Sequence, residues 1–410
     1  MKERKRLRGA FGKWHRLFQV SVALLLAEDA EEEEEAQDSR DIYLIAAAAA
    51  CEGMHCTSRH LHRGREFMQA SDFPKMKTFN DFKTERVFRF HFRFDRPGFL
   101  RILRNFGWLD EAGQPIWLNI GKGKSTWSAR ADWVFMVLCR RLSFPGRIED
   151  TCTVLGGSRT YVCQAWNYAL NFIFVRYRVM LADMKRFAPW FEEMASWLSD
   201  RGCPHDNLVG FVDGNDQFIC RTLGPGGKRR LNLYQRSNYS LKKKRHALLW
   251  QNTLLVNGLT TVEGPYAGRH HDAGVLHHTS LIQDLKDISE ELGSKYAVFG
   301  DAAYPLTAHC FPACKAPKGR RMSRRQRKYN LKMSRYRISV ENVFAAQGQQ
   351  WGFTQHTQNQ RVGVSAVGQQ YLARSFLHNC YTLLYDSLNS VQHGGFHSEN
   401  PVTLEWYMDY

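Results

Sequence analysis

Two short apolar runs in this chain each stop at a carboxylate. Residues 208–212 run into Asp213-Gly214, and residues 296–299 run into Gly300-Asp301. Runs of four or five apolar residues closed by Gly and Asp are too short for helices and read as buried strands. Between them, residues 246–256 form a third apolar run. It turns at Asn257-Gly258, a strong hairpin dipeptide, and residues 259–263 pair back. Residues 217–223 read as another strand after a tight turn at Asp213-Gly214. Asp272 precedes a helical run over 273–292. A basic loop then leads to a helical face formed by Tyr336, Val340 and Phe344, which also carries Glu341. Strands, helix, strand, helix predict an α/β domain with mixed strand pairing. Asp213 and Asp301 fall at the carboxyl ends of strands, where open α/β sheets gather their ligands.

Upstream the pattern is helical. Residues 131–143 carry Trp133, Val134, Val137 and Leu138. A turn at 143–146 follows, then 147–155, then Gly156-Gly157 and Ser158 as N-cap of a helix from Arg159 to about Val175. Helix, glycine turn, helix over 131–178 fits a helix-turn-helix, and it equally fits an ordinary helical bundle. The length suggests two or three domains: a charged tail over 1–60, a helical region over 61–204, the α/β domain over 205–390 and a C-terminal tail over 391–410. The tail sets a basic block against an acidic one, a pattern of solvated chain.

The 57 Lys and Arg against 40 Asp and Glu leave a net charge of +17, which points to a polyanion partner, with nucleic acid ahead of an acidic membrane surface. A hydrophobic content of 43% excludes wholesale disorder. The apolar runs at 20–27 and 42–51 fall short of the roughly 20 residues of a membrane span, although the first thirty residues imitate a signal peptide. The 10 cysteines lack zinc-finger spacing and read as reduced thiols of an intracellular protein.

Four carboxylates stand out: Asp213, Asp272, Asp301 and Glu341. Each has a bland reading. Asp213 could only make a turn, Asp272 could only cap a helix, Asp301 could only cap residues 302–304, and Glu341 could only pair with Arg337 four residues earlier, worth about 0.3–0.5 kcal/mol on a surface. Jointly, with basic flanks, they read better as a divalent-metal site, because hard cations take oxygen ligands. No Asp or Glu occurs from 302 to 340, and 315–337 holds 11 Lys and Arg.

Several motifs in order then resemble a known family. They are GFVDGN at 210–215, KKKRHALLWQ at 242–251, NGLTTVEGPYAGRHHDAGVL at 257–276, GDAAYPL at 300–306 and YNLKMSRYRISVENVFAAQGQQW at 329–351. The domain from about Leu208 to Trp351 resembles the DDE endonuclease domain of PIF/Harbinger-type transposases and the harbinger transposase-derived nucleases. The resemblance implies an RNase H-like mixed-sheet nuclease core behind an N-terminal helix-turn-helix-like region. It implies Mg²⁺ or Mn²⁺ and a two-metal DDE cleavage of DNA phosphodiesters. Asp213, Asp301 and Glu341 would be catalytic, with Asp272 joining them in the metal site. Double-stranded DNA would be held by Arg159, Lys242, Lys243, Lys244, Arg324, Arg325, Arg327, Lys328 and Arg337. The family further implies a Myb-like accessory protein and is compatible with a homo-oligomer; no membrane partner is expected. Basic stretches at 2–8 and 320–328 suit nuclear import. The departure is Gly214-Asn215-Asp216 after the first aspartate, where the family commonly has Thr-His; Asp216 could be a spare carboxylate facing the site. Two other readings stay open: a domesticated, non-catalytic DNA-binding nuclear protein derived from a transposase, and a nuclear scaffold.

Overall fold

A computed structural model of the chain describes residues 74–121, 123, 126–221, 232–316, 319–362, 365–385, 396, 398 and 400–410. The charged tail over 1–60, the signal-like start, Cys51, Cys56, the glycine loop at 224–227 and Lys318 lie outside the described residues.

The helical region opens with α1 (Glu85–Phe92) and α2 (Arg96–Asn105). The Asp95 side chain accepts the Gly98 N–H at 2.9 Å, and a proline in the first turn presets the backbone of α2. A two-stranded antiparallel hairpin follows, β1 (Trp117–Ile120) with β2 (Trp127–Arg130), which the sequence pattern does not announce. Then come α3 (Ala131–Ser143), α4 (Ile148–Leu155), α5 (Arg159–Ala182) and α6 (Phe191–Asp200). The first three helices stand where their spacing predicts them, and α5 runs a further two turns. Ser158 is the N-cap of α5. Gly156 ends α4 at φ +76°, and a Cβ there would lie 2.0 Å from the Lys75 carbonyl oxygen, so the position requires glycine. Much of α5 is buried: Val162, Trp166, Leu170, Ile173 and Tyr177 face inward.

The mixed sheet comprises β3 (Leu208–Phe218), β4 (Tyr239–Ser240, preceded by a short helix α7, Asn232–Ser237), β5 (Arg245–Leu255), β6 (Thr260–Ala267), β7 (Ala297–Gly300) and β8 (Cys310–Pro312). Its order is β6-β5-β3-β7-β8, with β4 extending one end of β5. β3 pairs antiparallel with β5, β5 antiparallel with β6, β3 parallel with β7, and β7 parallel with β8. Gly258 makes the β5–β6 turn at φ +84°, as the Asn-Gly dipeptide predicts. The turn expected at Asp213-Gly214 does not form. β3 runs unbroken through both residues because its polar side chains find buried partners: Asn215 donates to the Tyr371 hydroxyl at 2.8 Å, and Gln217 accepts from the Trp250 indole at 2.9 Å. Asp213 is therefore a mid-strand residue.

The helical run at 273–292 is broken into α8 (Asp272–His278) and α9 (Leu281–Leu292). The Glu263 carboxylate accepts the Ser280 N–H at 2.9 Å between them. The expected basic loop is mostly helix. α10 spans Arg324–Gln350 and starts in a capping box, with the Ser323 hydroxyl accepting from Gln326 N–H and the Gln326 side chain accepting from Ser323 N–H. Arg and Lys are good helix formers, so the charge run propagates the helix. α11 (Val367–Tyr385) is buried along nearly its whole length, and α12 (Leu404–Met408) follows.

The described residues on either side of position 204 share one hydrophobic core. Tyr177 of α5 stacks on Phe376 of α11 with ring centres 4.4 Å apart, and Trp250 of β5 stacks on Tyr371 at 4.3 Å. Position 204 marks a change of element type within that core. Among the described residues, no helix is long and apolar enough to cross a membrane, and all described cysteines are free.

Candidate active site

Parallel register brings the two strand aspartates side by side. Phe211 of β3 pairs with Phe299 of β7, so Asp213 and Asp301 lie two residues further along neighbouring strands. β7 ends at Gly300, and the Asp301 carboxylate accepts the Ala303 N–H at 2.7 Å as the chain turns away. Asp301 does cap the following turn; that bland reading holds alongside its place beside Asp213.

Asp272 reaches the strand from the other face. Asn215, and Asn252 opposite Asp213, both hydrogen-bond to Tyr371, which puts Asp213 on the face covered by α10 and α11. Side chains alternate along a strand, so Gly214 faces away. A Cβ at Gly214 would lie 2.1 Å from Asp272 Oδ1. Glycine here lets a carboxylate lie against the backbone. His271 is the N-cap of α8, and Asp272 is its first residue. Asp216 shares the Gly214 face. Burial raises its pKa, Lys243 opposes that, and Asp272 raises it further, so the spare carboxylate belongs to the Asp272 side.

The aspartates act on one another. Burial pushes the Asp213 carboxyl up to about 6; the Arg337 guanidinium opposes that shift, and Asp272 and Asp301 add to it. Burial also raises Asp272, against Lys242 and with Asp301. Tyr304 lies among them. It is 2% exposed, and its hydroxyl has no hydrogen-bond partner. Burial holds the phenol well above its usual range, with Asp272, Asp213 and Asp301 adding to the effect. Its ring packs on Gly300, where a Cβ would lie 2.6 Å from the Tyr304 ring. Sequence reasoning missed Tyr304, because a tyrosine after a strand reads as core; its only signal was its place in GDAAYPL.

Glu341 is placed differently. Its side chain is 56% exposed on α10, against 14% for Asp213. Arg337 joins the two: Nη2 donates to Asp213 Oδ2 at 2.9 Å, and Nη1 lies 3.0 Å from Glu341 Oε1. The expected pairing of Arg337 with Glu341 is present, and the strand aspartate is its second arm. The Arg337 Nε is buried without a hydrogen-bond partner.

Among the described residues, no group of three His, Cys, Asp or Glu side chains is set to hold a metal ion. The donor chemistry nonetheless fits a hard divalent cation. Burial and the neighbouring acidic charges raise the cost of ionising Asp213 and Asp272, and an orphaned phenol lies beside them.

Exposed cations lie on two elements. Lys242, Lys243 and Lys244 are exposed between β4 and β5, and Lys242 Nζ lies 3.8 Å from Asp272 Oδ2. Arg324, Arg325, Arg327 and Lys328 are exposed on the first two turns of α10. Arg159 lies apart from these, at the start of α5, 3.6 Å from Glu149.

Residues 228–379 match a family model described as DDE superfamily endonuclease. The matched span holds Asp272, Asp301, Arg337 and Glu341 and begins after Asp213. No curated protein and no solved structure matches the chain. Over 228–379 the chain is similar to the DDE superfamily endonucleases, which supports a DDE transposase-like nuclease.

Proposed function

We propose that this protein is a divalent-metal-dependent DNA endonuclease or transposase of the PIF/Harbinger type. The observation that carries this reading is the placing of Asp213 in β3 beside Asp301 just past the end of β7, near enough to Asp272 for its charge to act on Asp213, with Glu341 tied to Asp213 through Arg337. The similarity of residues 228–379 to DDE superfamily endonucleases supports it. The strand order supports an RNase H-like core: three antiparallel strands, with two further strands parallel to the first of them.

In this reading Asp213, Asp301 and Glu341 hold Mg²⁺ or Mn²⁺, and Asp272 completes the acidic lining. The cations supply Lewis acidity toward a phosphodiester in a two-metal arrangement. Tyr304 closes the site from beneath and keeps bulk water from the aspartates. Lys242–Lys244 and the first turns of α10 hold the duplex by its phosphates. The helices over 131–178, with Arg159 at the start of α5, form a second DNA contact of helix-turn-helix type. Nuclear import through 320–328, a Myb-like accessory protein and self-association belong to the same reading.

The test is nicking of supercoiled duplex DNA in Mg²⁺. The wild type cleaves, and Asp213→Ala and Glu341→Ala each lose roughly 100- to 1,000-fold in rate. Equal cleavage by the variants refutes the reading. Salt-sensitive DNA binding without cleavage by the wild type favours the domesticated, non-catalytic alternative.

A further inference from the structure

We propose that Arg337 is a latch that stands in for the divalent cation, tying Asp213 to Glu341 until metal displaces it. The inference rests on the metal-site reading above and adds a state to it. A guanidinium is a planar fork whose nitrogens can satisfy two carboxylates at once. Here one terminal nitrogen serves the strand aspartate at 2.9 Å and the other serves the helix glutamate at 3.0 Å. The group thus lies between two carboxylates expected to share a cation.

Two further observations point the same way. First, the latched position leaves the buried Arg337 Nε without an acceptor. A buried donor left unpaired is costly, and a guanidinium that moves outward regains water. The Arg337 side chain is 26% exposed, so part of it already meets solvent. Second, among the described residues no three acidic, His or Cys side chains are set around a common point. Glu341 is engaged by the guanidinium and stays solvent-facing. The latch accounts for both: it neutralises Asp213 in the metal-free protein and keeps Glu341 from the aspartates.

Release of Arg337 also frees a cation at the edge of the site. Its new partner is a phosphate oxygen of the bound strand, which Arg recognises well. The exchange is one of ion pairs: the Arg337–Asp213 and Arg337–Glu341 pairs break, and carboxylate–metal bonds replace them.

The experiment is calorimetric titration of Mn²⁺ into the full chain without DNA, for the wild type, Arg337→Ala and Arg337→Lys, with circular dichroism confirming that each is folded. A latch predicts that both variants bind Mn²⁺ roughly three- to tenfold tighter than the wild type. Lysine is the discriminating variant, because it keeps the charge yet its single ammonium cannot serve both carboxylates in the same way. Wild-type affinity in Arg337→Lys means that charge alone matters and overturns the latch. Weaker binding in either variant means that Arg337 positions the ligands and also overturns it. Binding by the variants with none by the wild type supports the latch in its strongest form. Absence of Mn²⁺ binding in all three folded proteins overturns the metal-site reading, and the latch with it. The double variant Asp213→Asn/Arg337→Ala must lose the gain if the cation enters through Asp213.

Discussion

Asp213 and Glu341 face each other across one guanidinium, yet they are held in opposite ways. Asp213 sits inside an 11-residue strand, paired through the backbone with Asn252 on one side and next to β7 on the other. Its side chain is 14% exposed. Glu341 projects from a long basic helix and is 56% exposed. The sheet therefore fixes one half of the site to the accuracy of its register, while the helix presents the other half on an exposed side chain held by Arg337. In the proposed reading, the rigid side takes the cation and the helix side completes the site.

The largest effects should separate the halves. Asp213→Asn is expected to abolish both cleavage and Mn²⁺ binding. Glu341→Gln is expected to lose cleavage by roughly 100-fold or more, while its Mn²⁺ affinity falls only about tenfold. Activity assays beside calorimetry check this, and equal losses of affinity would erase the distinction.

Packing gives the next contrast. A side chain at Gly214 collides with Asp272 Oδ1, so Gly214→Val should cost about 1–3 kcal/mol and displace a carboxylate. Asn342→Ala, on the exposed face of α10, should stay within about 0.5 kcal/mol. Urea unfolding measures both.

The pH dependence follows from the rigid side. Burial raises the Asp213 carboxyl to about 6 from an ordinary 3.8. The folded protein then holds that proton more tightly than the unfolded chain does. The group's contribution is full below about pH 4 and is lost as pH rises through 6, at most about 3 kcal/mol. Glu263, raised by burial to about 7, acts in the same direction. Protons compete with metal for Asp213, so Mn²⁺ affinity should rise about tenfold per pH unit up to pH 6 and flatten above it. Thermal melts of the wild type against Asp213→Asn, with and without Mn²⁺ at pH 5 and 7, isolate this group.

The smallest effects should come from the helix surface. Removing Arg324, Arg325, Arg327 or Lys328 singly should weaken DNA binding without sequence preference and lower the salt slope by about one for each cation that held a phosphate. Fluorescence anisotropy across salt concentrations reads that slope.

Part of the acidic constellation was legible because apolar runs closed by a polar residue and glycine stand out: that pattern marked Asp301 at the end of β7 and the β5–β6 hairpin, and it drew attention to Asp213 although β3 continues past it. The interior of β3 was not legible. Its polar residues from Asp213 to Gln217 look like a turn until Tyr371 and Trp250 supply buried partners from distant elements. The helix α11 carried no amphipathic signal because it is buried on all sides. The helical spacing offered Arg337 as the neighbour of Glu341 but concealed its bond to Asp213, 124 residues away. Local spacing predicts local pairs, and the second arm depends on where the sheet and α10 meet.

Anomalous diffraction from crystals of the protein soaked in Mn²⁺ would locate the cation and its ligands at once. A manganese peak is expected between Asp213 and Asp301, with Arg337 withdrawn from Asp213 and Glu341 turned toward the ion. A peak elsewhere, or none while Arg337 still bridges Asp213 and Glu341 under saturating Mn²⁺, would contradict both the metal site and its latch.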